Sequence, residues 1–148
     1  MSRETFLSYG TLLNRVAELC RSTARDLELH VEEANARYER VLRDVVVKQK
    51  KLADQVREYA DEGPTELLDT RLQFADEALS SGGDSSPETV GAALQNLMGR
   101  NGAIERAFAD QAEATAPEGI ADLLRNLSDL FASHSRAVAW NLAQARDL

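Results

Sequence analysis

A chain of 148 residues can form one domain with a full hydrophobic core, and its low aromatic content of 5% favours helix packing over sheets. The net charge of −8 opposes general binding to nucleic acid, which needs a basic surface. A single cysteine, Cys20, excludes an internal disulfide and a cysteine-rich zinc site, and it favours a reducing cytoplasm. We expect one domain over residues 1–148, with no signal peptide at its start and no membrane-spanning segment.

Two amphipathic helices are predicted in the first half of the chain. Apolar residues recur at steps of three and four over residues 3–28 and again over residues 34–59. The second run ends at Gly63, which is expected to take the left-handed cap conformation before a proline. Residues 28–36 contain no helix breaker, so they either continue one helix of roughly 60 residues or form a hairpin that turns near His30 to Asn35. A hairpin is favoured, because it lets the two apolar faces bury each other.

The middle of the chain is predicted to be a long crossover between the second and third helices. Residues 64–86 hold enough leucine and phenylalanine to pack, and we expect one or two short helical segments there. Ser86 is the expected cap of the third helix, with Pro87 at the first helical position.

Two further amphipathic helices follow the crossover. Apolar residues at helical spacing cover residues 90–108 and residues 120–142. Gly99 and Gly102 interrupt the first of these runs and leave little side-chain volume there. The sequence therefore predicts an all-α fold, an antiparallel four-helix up-down bundle with a long crossover between helices 2 and 3.

Four segments carry a family resemblance: LLNRVAEL, RVLRDVVVKQKKLADQVREY, LLDTRLQFA and LFASHSRAVAWNLAQARD. Together they resemble the ferritin-like, rubrerythrin-like superfamily, and more narrowly its small bacterial helical bundles. The last segment is similar to the terminal helix of that superfamily, where a histidine lies on the inner face. The resemblance implies a site for two metal ions, with one carboxylate on each of two helices and a Glu-x-x-His pair on each of the others.

The sequence departs from this metal-binding pattern. His134 would need a glutamate three residues earlier, and that residue is Phe131. His30, the other histidine, lies at the proposed hairpin turn. Candidate metal ligands are therefore limited to His134, Glu105 and Asp129, and the superfamily's iron chemistry is not carried over. Two other interpretations of His134 are a core histidine bonded to a facing helix, which is favoured, and a pH-sensitive contact.

Three hypotheses for function remain. The favoured one is a non-catalytic helical bundle without a cofactor that acts through protein contacts, first of all as a homodimer. Trp140, which lies off the main apolar stripe, and Tyr38 are its candidate interface residues. The alternatives are a divergent ferritin-like metal-binding protein and a bundle that binds a small molecule in a cavity near Gly99 and Gly102.

Overall fold

The structure, a computed structural model, describes residues 4–63, 71–75, 88–114 and 118–147. Within these ranges the chain forms β1 (Glu4–Ser8), α1 (Tyr9–His30), α2 (Ala36–Glu62), β2 (Arg71–Ala75), α3 (Val90–Ala114) and α4 (Glu118–Asp147). The prediction of four long helices is confirmed. The architecture is helical apart from β1 and β2, which pair as a small antiparallel sheet.

The first helix starts later than the prediction of residue 3. Residues Glu4–Ser8 form β1, and α1 begins at Tyr9. Ser8 has extended backbone angles, and its hydroxyl accepts a hydrogen bond of 3.3 Å from the backbone nitrogen of Thr11. This contact satisfies one of the free N–H groups of the first helical turn, so Ser8 fixes the point where the strand ends.

The crossover contains a strand where short helices were expected. Arg71–Ala75 forms β2, and its Gln73 lies opposite Phe6 of β1. In the sequence RLQFA, polar and apolar residues alternate with a period of two, which is the pattern of a strand. The prediction of helix is therefore wrong for these residues. Residues 64–70 and 76–86 of the predicted crossover lie outside the described residues.

A hairpin joins α1 to α2, and the prediction of a hairpin is confirmed. A 3₁₀ turn, Val31–Glu33, follows α1, and Asn35 then caps α2. The Asn35 side chain accepts a hydrogen bond of 3.0 Å from the backbone nitrogen of Tyr38. Asparagine is among the best residues at this position because its short side chain reaches the free N–H groups of the first turn.

Gly63 does not form a left-handed cap, so that prediction is wrong. Its angles are φ −68° and ψ 144°, which is extended backbone open to any residue. The sequence explains the difference, because Pro64 follows and a residue before proline is pushed into the extended region.

The start of α3 also differs from the prediction. The cap is Thr89, whose hydroxyl accepts a hydrogen bond of 3.1 Å from the backbone nitrogen of Ala92, whereas Ser86 and Pro87 lie outside the described residues. A second cap comes from the hairpin turn, since the Glu33 carboxylate accepts a hydrogen bond of 3.2 Å from the backbone nitrogen of Val90. Glu33 also bonds His30 at 2.7 Å, and this bond is the main reason that its pKa is lowered.

The four helices enclose two separate apolar clusters. Helix α1 lies beside α2 and α3, and α4 lies beside α2 and α3. The first core cluster joins the N-terminal halves of α1 and α4 to the C-terminal halves of α2 and α3. Tyr9, Phe108 and Phe131 are its largest buried side chains, and the two phenylalanine rings lie 5.9 Å apart. The second core cluster comprises Ala24, Leu27, Val31, Leu42, Val45, Val46, Ala93, Leu97, Val138 and Leu142.

Among the residues that the structure describes, no helix is both long enough and apolar enough to cross a membrane.

Candidate functional site

A layer of polar side chains lies between the two core clusters. Each helix contributes one residue: Thr23 from α1, Gln49 from α2, Asn101 from α3 and His134 from α4. We call these four residues the polar layer. Gln49, Asn101 and Thr23 are exposed by 0%, 2% and 4%, while His134 is half-buried. Buried polar groups are costly without partners, so the hydrogen bonds of this layer decide what it can do.

Gln49 is the hub of the polar layer. Its amide nitrogen donates to the Thr23 hydroxyl and to the Asn101 side-chain oxygen, at 3.0 Å in both cases. Its amide oxygen accepts from the Asn101 side-chain nitrogen at 2.8 Å and lies 2.8 Å from Nε2 of His134. A glutamine amide offers two donor hydrogens and two acceptor lone pairs. All four are used inside the layer.

Thr23 anchors the layer to the backbone of α1. Its hydroxyl lies 3.1 Å from the carbonyl of Leu19 and 3.0 Å from that of Cys20, and it donates toward them. Because the donor hydrogen is used in this way, the hydroxyl oxygen is left to accept from Gln49. Donors and acceptors are therefore matched in every hydrogen bond that links Thr23 on α1, Gln49 on α2 and Asn101 on α3.

The hydrogen bond to Gln49 sets the tautomer of His134, and burial sets its charge. The Gln49 oxygen can only accept, so Nε2 of His134 carries the hydrogen and donates it. Burial lowers the pKa of His134 to about 4 from its ordinary 6.5, and the positive charge of Lys48 acts in the same direction. The imidazole is therefore neutral at neutral pH. The interpretation of His134 as a core histidine bonded to a facing helix fits this geometry.

The three candidate metal ligands do not meet in one place. Asp129 is exposed on α4, and Glu105 is half-buried on α3, where its backbone oxygen accepts a hydrogen bond of 3.2 Å from Ser128. His134 bonds Gln49 instead of a carboxylate. Within residues 4–63, 71–75, 88–114 and 118–147, no three His, Cys, Asp or Glu side chains form a group that could hold a metal ion.

Gln49, Asn101 and Thr23 were not singled out as site residues from the sequence, although a signal was present. On α2 the buried positions at helical spacing are Leu42, Val45, Val46, Gln49, Leu52, Ala53, Val56 and Ala60. Gln49 is the polar member of this set, and Asn101 interrupts the buried positions of α3 in the same way. A polar residue on an apolar stripe indicates a buried hydrogen bond. The pattern in one helix does not reveal which helix provides the partner.

The two candidate interface residues differ in exposure. Trp140 is 66% exposed on α4, so it does not pack into the core. Tyr38 is half-buried and packs against the second core cluster. The thiol of Cys20 is fully buried, which raises its pKa to about 12 and keeps it protonated. Of these three side chains, Trp140 alone presents a large apolar surface to a partner.

Comparisons of the chain with protein-family models, with curated protein sequences and with solved structures find no match.

Proposed function

We propose that this protein is a non-catalytic helical bundle that acts through protein contacts, and that its first partner is a second copy of itself. The observation that carries the proposal is the 66% exposure of Trp140, the one tryptophan of the chain. Tryptophan buries a large area when covered, and it is enriched among the residues that dominate binding energy at interfaces. A partner that covers this side chain would gain far more binding free energy than one that covers exposed charged residues on the other helices.

The polar layer supports a structural role for the inside of the bundle. All the donors and acceptors of the Gln49 side chain form hydrogen bonds with Thr23, Asn101 and His134. General acid–base or nucleophilic catalysis needs a group that reaches its substrate with a suitable pKa. His134 is neutral and bonded inward, and the Cys20 thiol is buried and protonated. These groups serve packing in our proposal, and the outer surface serves recognition.

A ferritin-like arrangement of the helices is the second part of the proposal. The first core cluster takes the early residues of α1 and α4 together with the late residues of α2 and α3. This membership supports α1 and α4 running in one direction and α2 and α3 in the other. The chain would then cross the length of the bundle between α2 and α3, which is the single long crossover of ferritin-like folds. The polar layer would replace the metal-binding layer of those proteins.

Sedimentation equilibrium of the wild-type chain and of Trp140→Ala tests self-association. The proposal expects a concentration-dependent dimer for the wild type and a dissociation constant at least tenfold higher for Trp140→Ala, since interface tryptophans often contribute 2 kcal/mol or more. Leu29→Ala is the matched control, because Leu29 is 78% exposed on a different helix. An equal loss of association in both variants would contradict the role of Trp140, and a wild-type chain that stays monomeric would contradict self-association.

A further inference from the structure

Arg100 is a cation that is nearly buried on α3. Only 9% of its surface is exposed, although arginine is among the residues that are rarely buried without a partner. Burial lowers the pKa of its guanidinium, and no carboxylate of the described residues opposes that effect. Among the residues that the structure describes, none forms a hydrogen bond or an ion pair with the side chain of Arg100. An arginine in this position keeps its charge and its five donor hydrogens available.

The Arg100 side chain lines a groove along α3. The other residues of the groove are Gln95, Asn96, Gly99 and Ala103, and its volume is about 280 Å³. Gly99 opens the floor of the groove, because a Cβ atom placed there would meet no atom within 4 Å. Gly102 differs, since a Cβ atom on it would lie 3.4 Å from the guanidinium of Arg106. The cavity expected near both glycines is therefore a surface groove at Gly99.

We propose that this groove binds an oxyanion, the phosphate or carboxylate group of a small molecule, through the guanidinium of Arg100. The planar fork of arginine matches two oxygens of such a group, and a charged hydrogen bond to a partly desolvated guanidinium is stronger than one in open water. The side-chain amides of Gln95 and Asn96 are further donors in the same groove. The chain carries a net charge of −8, so nonspecific attraction of anions would not produce this binding.

The inference is independent of self-association through Trp140. Its test is thermal unfolding of the full chain in sodium chloride, sodium phosphate and sodium acetate at equal ionic strength. A ligand that binds the folded state alone raises Tm with concentration. Phosphate also stabilises proteins through exclusion from their surface, so the dissociation constant comes from the part of the rise that Arg100→Gln removes. We expect phosphate, acetate or both to raise Tm above the value in chloride. The phosphate arm and the acetate arm distinguish a phosphate ester from a carboxylate as the natural ligand.

Two pairs of variants locate the binding. Arg100→Gln should abolish the anion-dependent rise in Tm, whereas Arg106→Gln, an exposed arginine on the same helix, should keep it. Gly99→Val fills the groove without a clash and should reduce the rise severalfold, while Gly91→Val, also in open space on α3, should not. If Arg100→Gln fails to fold, the comparison of Gly99→Val with Gly91→Val still shows whether the anion binds in the groove. A wild-type Tm that is equal in all three salts, or an anion effect that survives Gly99→Val unchanged, would overturn the proposal.

Discussion

Replacing Gln49 by leucine tests the polar layer most sharply. The substitution keeps the approximate volume of the side chain and removes its four hydrogen bonds. Asn101, which is 2% exposed, loses the partners of both its side-chain oxygen and one donor hydrogen. Each buried group left without a partner costs about 1–3 kcal/mol, so the two groups cost about 2–6 kcal/mol together.

Thr23 and His134 add little to this cost, and burial of the new leucine reduces it. Thr23 keeps its bonds to the backbone of α1, and the half-buried imidazole of His134 can reach water. Burial of the leucine side chain returns about 1–2 kcal/mol. The difference between this cost and this gain is about 0–5 kcal/mol, so we expect Gln49→Leu to lower the free energy of unfolding by a central value of about 2–3 kcal/mol. Urea denaturation followed by far-UV circular dichroism measures this difference.

A double variant separates the network from simple packing. Asn101→Leu added to Gln49→Leu removes the two groups that were left without partners, so the double variant should be at least as stable as Gln49→Leu alone. Gln144→Leu, an exposed position on α4, is the matched control and should change stability by less than about 0.5 kcal/mol. The reasoning is refuted if Gln49→Leu behaves like this control. It is also refuted if the stability lost in the double variant equals the sum of the losses in Gln49→Leu and Asn101→Leu measured singly.

Three further predictions follow from single side chains. The pKa of His134 is about 4 in the folded chain and 6.5 in the unfolded chain, so the unfolded state takes up the proton first as pH falls. We therefore expect the free energy of unfolding to fall as pH drops from 7 to 4. An NMR titration midpoint at or above 6.5 for this imidazole would contradict its burial. Tyr9→Phe should leave stability unchanged or raise it by up to about 1 kcal/mol, because the buried Tyr9 hydroxyl has no hydrogen-bond partner among the described residues; a clear fall in Tm would show that a partner exists. Asn35→Ala should cost about 1 kcal/mol through loss of the α2 cap, with the exposed Asn126→Ala as control; equal urea midpoints for the two variants would show that Asn35 does not cap α2.

The helices could be predicted from the sequence because their signals are local. Steps of three and four between apolar residues mark α1 to α4, and they mark their buried faces as well. The hairpin between α1 and α2 also followed from a physical argument, since two apolar faces have to bury each other. Its cap residue, Asn35, was a residue type that favours helix starts.

The features that escaped prediction depend on distant parts of the chain. Strand β1 pairs with β2 more than sixty residues later, and a five-residue strand gives little signal of its own. The polar layer needs the alignment of four helices, which brings Gln49 to residues 52 and 85 positions away. The wrong prediction of a left-handed cap at Gly63 has a local cause. Pro64 is visible in the sequence, and a proline pushes the residue before it into the extended region, which outweighs the preference of glycine for a left-handed cap.

The central claim is that Trp140 is covered by a partner, and its fluorescence measures this directly. As the one tryptophan of the chain, it provides an emission signal that needs no label. We predict that emission from the wild-type chain shifts to shorter wavelength as protein concentration rises, in step with the dimer fraction from sedimentation, because the ring passes from water into an interface. An emission maximum that stays at the value for exposed tryptophan while dimers form would contradict the account.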